Sequence, residues 1–251
     1  MDRARRSPEP LFHKVTGAIR TKTDRLRRHR PTPYRETSDG AFSLNRLGPI
    51  ELRGRLGEGG CSNVYRGLWD GRDVAVKLHK SDAVERHIRK GALELAEYEY
   101  GRNRAFYEAP GLKRYVACPI AYNASSSLSV LVQEWLEGSL YYFWHKDRGG
   151  VSSPRMEQHL QAIVDGAHAA GLYDIDFHAM NVIVVEEDGE PIPKLFDFNY
   201  VPSGVHARNP FVAIGLRLGI IDPRSRDLRM LKTFHDFSRE ERQIRKYYPL
   251  S

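Results

Sequence analysis

The stretch Tyr173 to Asn199, YDIDFHAMNVIVVEEDGEPIPKLFDFN, constrains the chain more than any other. A Val/Ile run from Val182 to Val185 and a second apolar run ending at Asp197-Phe198-Asn199 flank Asp188-Gly189. An Asp-Gly pair between two β-rich runs predicts a tight hairpin. Closing that hairpin brings Asn181 and Asp197 together at one end, where an amide oxygen and a carboxylate suit a shared hard cation and its phosphate oxygens. Asp176, five residues before Asn181, lies in the preceding loop and is left to face an acceptor hydroxyl.

The rest of the chain is an ordinary globular mixture, with 251 residues, 41% apolar and 28% charged. No run of eighteen apolar residues predicts a transmembrane helix, and no apolar segment near Met1 predicts a secretory leader, so the expected location is cytoplasmic. Cys61 and Cys118 stand far apart without a CxxC or Cys/His cluster, which argues against a disulfide framework or structural zinc and for small buried hydrophobes.

Charge is uneven. Residues 1–35 hold eleven Lys/Arg against three Asp/Glu, a net of +8, whereas the whole chain is +7, so the body is near neutral. Residues 1–45 therefore read as a basic tail. Leu11, Phe12, Val15, Ile19 and Leu26 form a ragged helical stripe with the basic residues largely off it, which fits an anionic membrane surface. A flexible solvated tail between Pro8, Pro10, Pro31 and Pro33 explains the same residues. Nucleic-acid binding is disfavoured, because the tail has few aromatics and no recognisable module.

The body begins near Phe42. Leu56 to Val64, LGEGGCSNV, places Gly57, Gly59 and Gly60 ahead of Ser62 and Val64, a pattern that lets backbone N–H groups approach phosphates. Thirteen residues after Val64, the alternating segment Val74-Ala75-Val76-Lys77 presents an ammonium beneath that turn. Residues 82–109 read as one helix, without proline before Pro110 and carrying Glu94, Glu97 and Glu99. Any of the three could lie on the inward face of that helix. Glu99 is favoured because Leu95 and Phe106 put its side of the helix inward, and Glu97 stays open. Ser127 to Leu140 predicts a strand followed by Glu134, Trp135, Leu136 and Gly138, the last allowing the chain to turn. A helix over Pro154 to Ala170 carries Met156, Leu160, Ile163, Val164 and Ala167 toward the core, and Val212 to Phe237 reads as one or two more helices.

Taken in order, glycine turn, Val-Ala-Val-Lys, helix glutamate, Asp-x4-Asn and Asp-Phe-Asn, the chain from about Leu56 to Asn199 resembles the protein-kinase-like superfamily. The resemblance implies an α+β, two-lobed fold with a β-rich N-lobe over about 46–136 and a reduced helical C-lobe over about 137–251. It also implies ATP and Mg²⁺ as cofactors. Gly57, Gly59, Gly60, Ser62, Val64, Lys77, Glu99, Glu134 and Leu136 would then hold the nucleotide, with Gln133 controlling access behind it. Asn181 and Asp197 would hold the metal, and Asp176, Lys77 and His178 would act on the transferring group.

Four positions depart from the pattern. Ser62 replaces a glycine, Asp174 stands where protein kinases carry histidine, and Asn199 replaces the glycine of Asp-Phe-Gly. His178, in the place of a lysine, together with Asp176-Phe177-His178, Cys118-Pro119-Ile120-Ala121-Tyr122 and the compact ending without Ala-Pro-Glu, resembles the bacterial lipopolysaccharide kinase group that phosphorylates Kdo or heptose, and its related regulatory-network family. That implies a sugar hydroxyl on a glycolipid as acceptor, and a peripheral place on the inner membrane face. A small atypical Ser/Thr protein kinase and a nucleotide-binding pseudokinase are the alternatives, the latter favoured by Ser62, Asp174 and Asn199. A metal-dependent hydrolase built on Asp174, Asp176 and His178 leaves the glycine turn and Lys77 unexplained.

Overall fold

Two hairpins set the frame, and both turn on Asp-Gly. The computed structural model describes residues 41–44, 48–88, 94–124, 128–201, 210–238 and 241–242, and the basic residues 1–35 lie outside them. At Asp70-Gly71 (φ 49° and 72°) and Asp188-Gly189 (φ 54° and 77°) consecutive positive φ values give the turn whose twist matches paired strands. The first joins β3 (Ser62–Trp69) to β4 (Arg72–His79); the second joins β8 (Val182–Glu187) to β9 (Glu190–Leu195).

With β1 (Ala41–Leu44), β2 (Gly48–Glu58), β5 (Pro119–Ala124) and β6 (Ser129–Glu134), the first hairpin builds a six-stranded sheet in the order β1-β2-β3-β4-β6-β5. The sheet thus starts at Ala41, inside the span read from sequence as tail. Alternation along β4 divides its side chains. Val74 and Val76 go to a small core with Ile50, Ala121, Val130 and Val132, and Lys77 goes to the opposite face opposite Leu131.

Where one helix was expected there are two, α1 (Ser81–Ile88) and α2 (Leu95–Glu108). The start of α2 has a chemical cause: the Glu94 carboxylate accepts the N–H of Ala96 at 2.9 Å and that of Glu97 at 3.5 Å, making Glu94 an N-cap rather than a helix-interior residue. Leu95, Ala96, Glu99, Asn103 and Phe106 form the buried stripe of α2, at helical spacing. Two of the five are polar, and both are bonded in the site described below.

Past residue 136 the chain forms a second, three-stranded sheet, β7-β8-β9, with β7 at Gly138–Leu140. Helices α3 (Tyr141–Asp147) and α4 (Pro154–Ala169) follow β7. Ser153 caps α4 through the Met156 N–H, Pro154 opens it, and Met156, Leu160, Ile163, Val164 and Ala167 are buried as their spacing predicts. They join Phe106, Tyr141, Ile175, Phe177, Val182, Leu195, Phe198 and Phe234 in the main core. Two short helices follow, α5 (Pro210–Arg217) and α6 (Ser225–Lys232).

Two expectations change. Cys61 and Cys118 form no disulfide, but both are half-buried rather than core residues. Gly138 does not have a positive φ, so it is not there to turn the chain. It is there because a Cβ would collide with the backbone carbonyl of Val184 across the β7–β8 pair. Gly138→Ala should lower stability by about 2–3 kcal/mol, as overpacking against a backbone that cannot move aside does; thermal unfolding measures it, and an unchanged midpoint would remove the packing explanation. Among the described residues, no helix is long and apolar enough to cross a membrane.

Candidate active site

The site starts from one buried cation. Lys77, 2% exposed on β4, donates to the Glu99 carboxylate on α2 and to Asp197 Oδ1 at 3.1 Å. Burial works against the ammonium, yet the Asp197 and Glu99 carboxylates outweigh it and hold its pKa above the ordinary lysine value. Burial likewise raises Glu99, but Lys77 and the bonded His79 outweigh it and pull Glu99 below the usual range. Of the three glutamates considered from sequence, Glu99 is the one brought to Lys77.

His79, two residues on and facing the same side, had no part in the sequence reading. Its Nε2 lies 2.9 Å from Glu99 Oε2 and its Nδ1 2.9 Å from Ser129 Oγ. Glu99 Oε1 also accepts the N–H of Phe198 at 3.4 Å. Glu99 is thus held on both oxygens, which is what a fully buried carboxylate requires. The next polar residue of the α2 stripe continues the tie: Asn103 donates to the Ala117 carbonyl at 2.9 Å and accepts from Gln133 at 2.8 Å, and Gln133 also donates to the Phe196 carbonyl at 3.1 Å.

The loop from Leu172 to Asn181 alternates. Ile175, Phe177 and Ala179 are buried in the main core, which turns Asp176 and His178 to the other side, where their side chains are only 16% and 12% exposed. Asp174 adopts φ 56°, a left-handed conformation that few non-glycine residues take, and Arg102 of α2 donates to the carbonyls of Tyr173 (2.7 Å) and Asp174 (2.8 Å). Asn181 Nδ2 donates to the Asp176 carbonyl at 2.9 Å and lies 3.4 Å from Asp176 Oδ2. His178 Nδ1 accepts the Met180 N–H at 3.3 Å, which leaves Nε2 facing Asp176 Oδ2 at 3.6 Å. The imidazole is therefore bonded to the loop backbone on one side and faces the Asp176 carboxylate on the other.

Strand pairing Val182↔Leu195 sets Asn181 and Asp197 at the same end of the β8–β9 hairpin, and Phe196 N–H donates to the Asn181 carbonyl at 3.3 Å. Phe198 is buried against Phe106 of α2, ring centroids 5.2 Å apart, so Asp197 is turned the other way, toward Lys77. Burial, and then the negative charges of Glu99 and Asp176, push the Asp197 carboxyl up despite Lys77. A divalent cation at Asp197 would remove that repulsion, and an amide oxygen beside a carboxylate is a hard-oxygen donor set, so the residues fit Mg²⁺.

Cross-strand register places Gly57, Val64 and Lys77 in one row over β2, β3 and β4. Neither Gly59 nor Gly60 has a positive φ, and a Cβ at Gly60 would meet nothing within 4 Å. Glycine there is required by neither conformation nor internal packing, which leaves room over the turn for a bound group. Ser62, beside it, is 5% exposed. On the far side, the Glu134 N–H donates to the Cys118 carbonyl at 2.9 Å, Leu136 is half-buried, and the Arg66 guanidinium lies over the Trp135 ring at 5.0 Å.

Sequence reasoning also missed Arg226, on α6. Its NH2 lies 3.1 Å from Asp176 Oδ1 and its NH1 2.8 Å from the Ile175 carbonyl. No motif marks it, because its partner stands fifty residues earlier.

With this geometry in place, the chain is similar to structures of the kinase domain of PknI from Mycobacterium tuberculosis. Against one, a double mutant, the TM-score is 0.52 at 16% identity, covering 75% of this chain and 74% of that chain. Against two others, TM-scores are 0.51 and 0.50 at the same identity and coverage of this chain, with 71% and 73% of those chains covered. The fold is that of a protein kinase. No protein-family model matches the chain, and no curated protein matches it by sequence.

Proposed function

We propose that this kinase fold is an ATP- and Mg²⁺-dependent phosphotransferase acting on an alcohol group, the acceptor being a sugar hydroxyl of a lipopolysaccharide-core-type glycolipid. The observation that carries the reading is Lys77, held between Glu99 and Asp197 under the Gly57–Val64 turn, with Asp176 tied to Asn181 beside it. Structural ion-pair networks also bury charge, but they do not require an open glycine turn in the same row of strands and a further carboxylate, Asp176, close enough to act on Asp197.

In this reading Lys77 and the backbone around Gly57, Gly59 and Gly60 bind the ATP phosphates, and Glu134, its N–H already used, offers its carbonyl to the base. Asn181 and Asp197 hold Mg²⁺, which when bound neutralises charge on the transferring group. Asp176 orients the acceptor hydroxyl and takes its proton. The acceptor oxygen forms a bond to the γ-phosphorus, the bond from that phosphorus to the bridging oxygen breaks, and its electron pair leaves with ADP. His178 Nε2 faces the same carboxylate, 3.6 Å from Oδ2.

The sugar acceptor rests on the likeness of Asp176-Phe177-His178 and the Cys118 to Tyr122 segment to the lipopolysaccharide kinase group. Incubating the protein with γ-labelled ATP and Mg²⁺ against lipid A-core glycolipids, free sugars and a generic protein tests it. Label on the glycolipid is expected. Label on the protein alone would replace the glycolipid with a protein acceptor.

A further inference from the structure

Helix α6 reaches into the site through one side chain. Arg226 makes contact with three separate pieces of it: NH2 with Asp176 Oδ1 at 3.1 Å, NH1 with the Ile175 carbonyl at 2.8 Å, and its guanidinium carbon 4.1 Å from the centre of the Tyr200 ring. Nε lies 3.9 Å from Asp174 Oδ1. Tyr200 is itself tied to α2, since its carbonyl accepts from the Tyr98 hydroxyl at 2.9 Å.

We propose that Arg226 is a positioning residue for the transfer, holding the Asp176 carboxylate in its working orientation, so that helix α6 is part of the catalytic apparatus. The inference rests on the phosphotransferase reading above and adds to it a residue from outside the motifs.

The physical reason is preorganisation. An exposed arginine must be ordered before it can order anything else, and its pairing with a carboxylate then contributes little. Arg226 is only one-fifth exposed, and its donor fork is fixed before it meets Asp176. The Tyr200 face sets the guanidinium plane, the Ile175 carbonyl sets its rotation, and the remaining donors then point at Asp176. The helix that carries it is anchored too. Asp227, the next residue, is fully buried, its Oδ2 lies 3.1 Å from His168 Nε2 on α4, and α6 packs against α4. On the Asp176 carboxylate the Arg226 contact, at 3.1 Å, is shorter than those of Asn181 at 3.4 Å and His178 at 3.6 Å, so losing it loosens the carboxylate. In a transfer whose catalysis is mainly positioning, a carboxylate that wanders by about 1 Å costs up to about a hundredfold in rate.

The test uses the full chain with Mg²⁺-ATP, measuring phosphate transfer to water and to any acceptor phosphorylated in the panel. Arg226→Met keeps an apolar stem against Tyr200 and should lower kcat by about 10- to 100-fold with KM for ATP within about twofold. Arg226→Lys, which restores one donor, should recover part of that loss. Combining Arg226→Met with Asp176→Asn should be no slower than Asp176→Asn alone, because the arginine acts through that carboxylate. A purely structural arginine would give multiplying losses instead, and that result overturns the proposal. So does an unchanged kcat, a rise in KM alone, or a faster variant, the last meaning that Arg226 blocks the acceptor seat. Should Arg226→Met fail to fold, Arg226→Lys with and without Asp176→Asn decides by the same non-additivity. A wild-type protein that binds Mg²⁺-ATP and never turns it over sinks the phosphotransferase reading and this proposal with it. An active wild type with an equally active Arg226→Met sinks this proposal alone.

Discussion

Asp197→Ala is expected to abolish Mg²⁺-dependent phosphoryl transfer, a loss of at least about a thousandfold, in a protein that stays folded. The loss follows from the donor set: without the carboxylate, Asn181 supplies a single neutral oxygen, too weak alone to hold a hard cation against its hydration. Folding should survive because the burial of Asp197, crowded by Glu99 and Asp176, already pushes its pKa up, so its removal relieves repulsion. Lys77 keeps Glu99 as its counter-ion. Thermal unfolding with and without Mg²⁺-ATP gives the check. The wild-type midpoint should rise only when both are present, and the variant's should not. Wild-type turnover in the variant would remove Asp197 from the site.

The hairpin was legible because its information is local. Asp188-Gly189 between two apolar runs fixes the turn, the turn fixes the Val182↔Leu195 pairing, and the pairing sets Asn181 and Asp197 at one end. Lys77 and Glu99 were legible for a similar reason, since strand alternation and helical spacing assign each a face. What sequence did not show is what those faces meet. The break before α2 came from a capping glutamate, a residue type better known inside helices than at their start. Gly138 reads as a flexible joint, whereas it is a close backbone contact between strands about forty-six residues apart.

Lys77 shows the same limit in energetic form. Judged by its own side chain, Lys77→Met exchanges one long stem for another and spares the fold. In the structure Glu99 is fully buried, and removing Lys77 leaves that interior carboxylate with only the His79 and Phe198 N–H contacts, at a cost of about 3–5 kcal/mol. Activity lost at Lys77 would therefore mix chemistry with folding. His79 and Arg226 escaped for want of any local pattern, since one is bonded to α2 and the other reaches from α6, fifty residues beyond Asp176.

Asp176→Asn isolates the chemistry. Asparagine keeps the size, its oxygen can still accept from Arg226, and the proposed nucleotide contacts at Gly57, Gly59, Lys77, Asn181 and Asp197 are untouched. It is too weak a base to take the acceptor proton, so transfer should fall by about two to four orders of magnitude while ATP affinity persists. The paired measurement is calorimetric binding of Mg²⁺-ATP and transfer of its labelled γ-phosphate, wild type beside Asp176→Asn. Equal binding with transfer in the wild type alone is the predicted result. Equal binding with no transfer by either protein, to water or to any acceptor, would contradict the account and leave a nucleotide-binding module in its place.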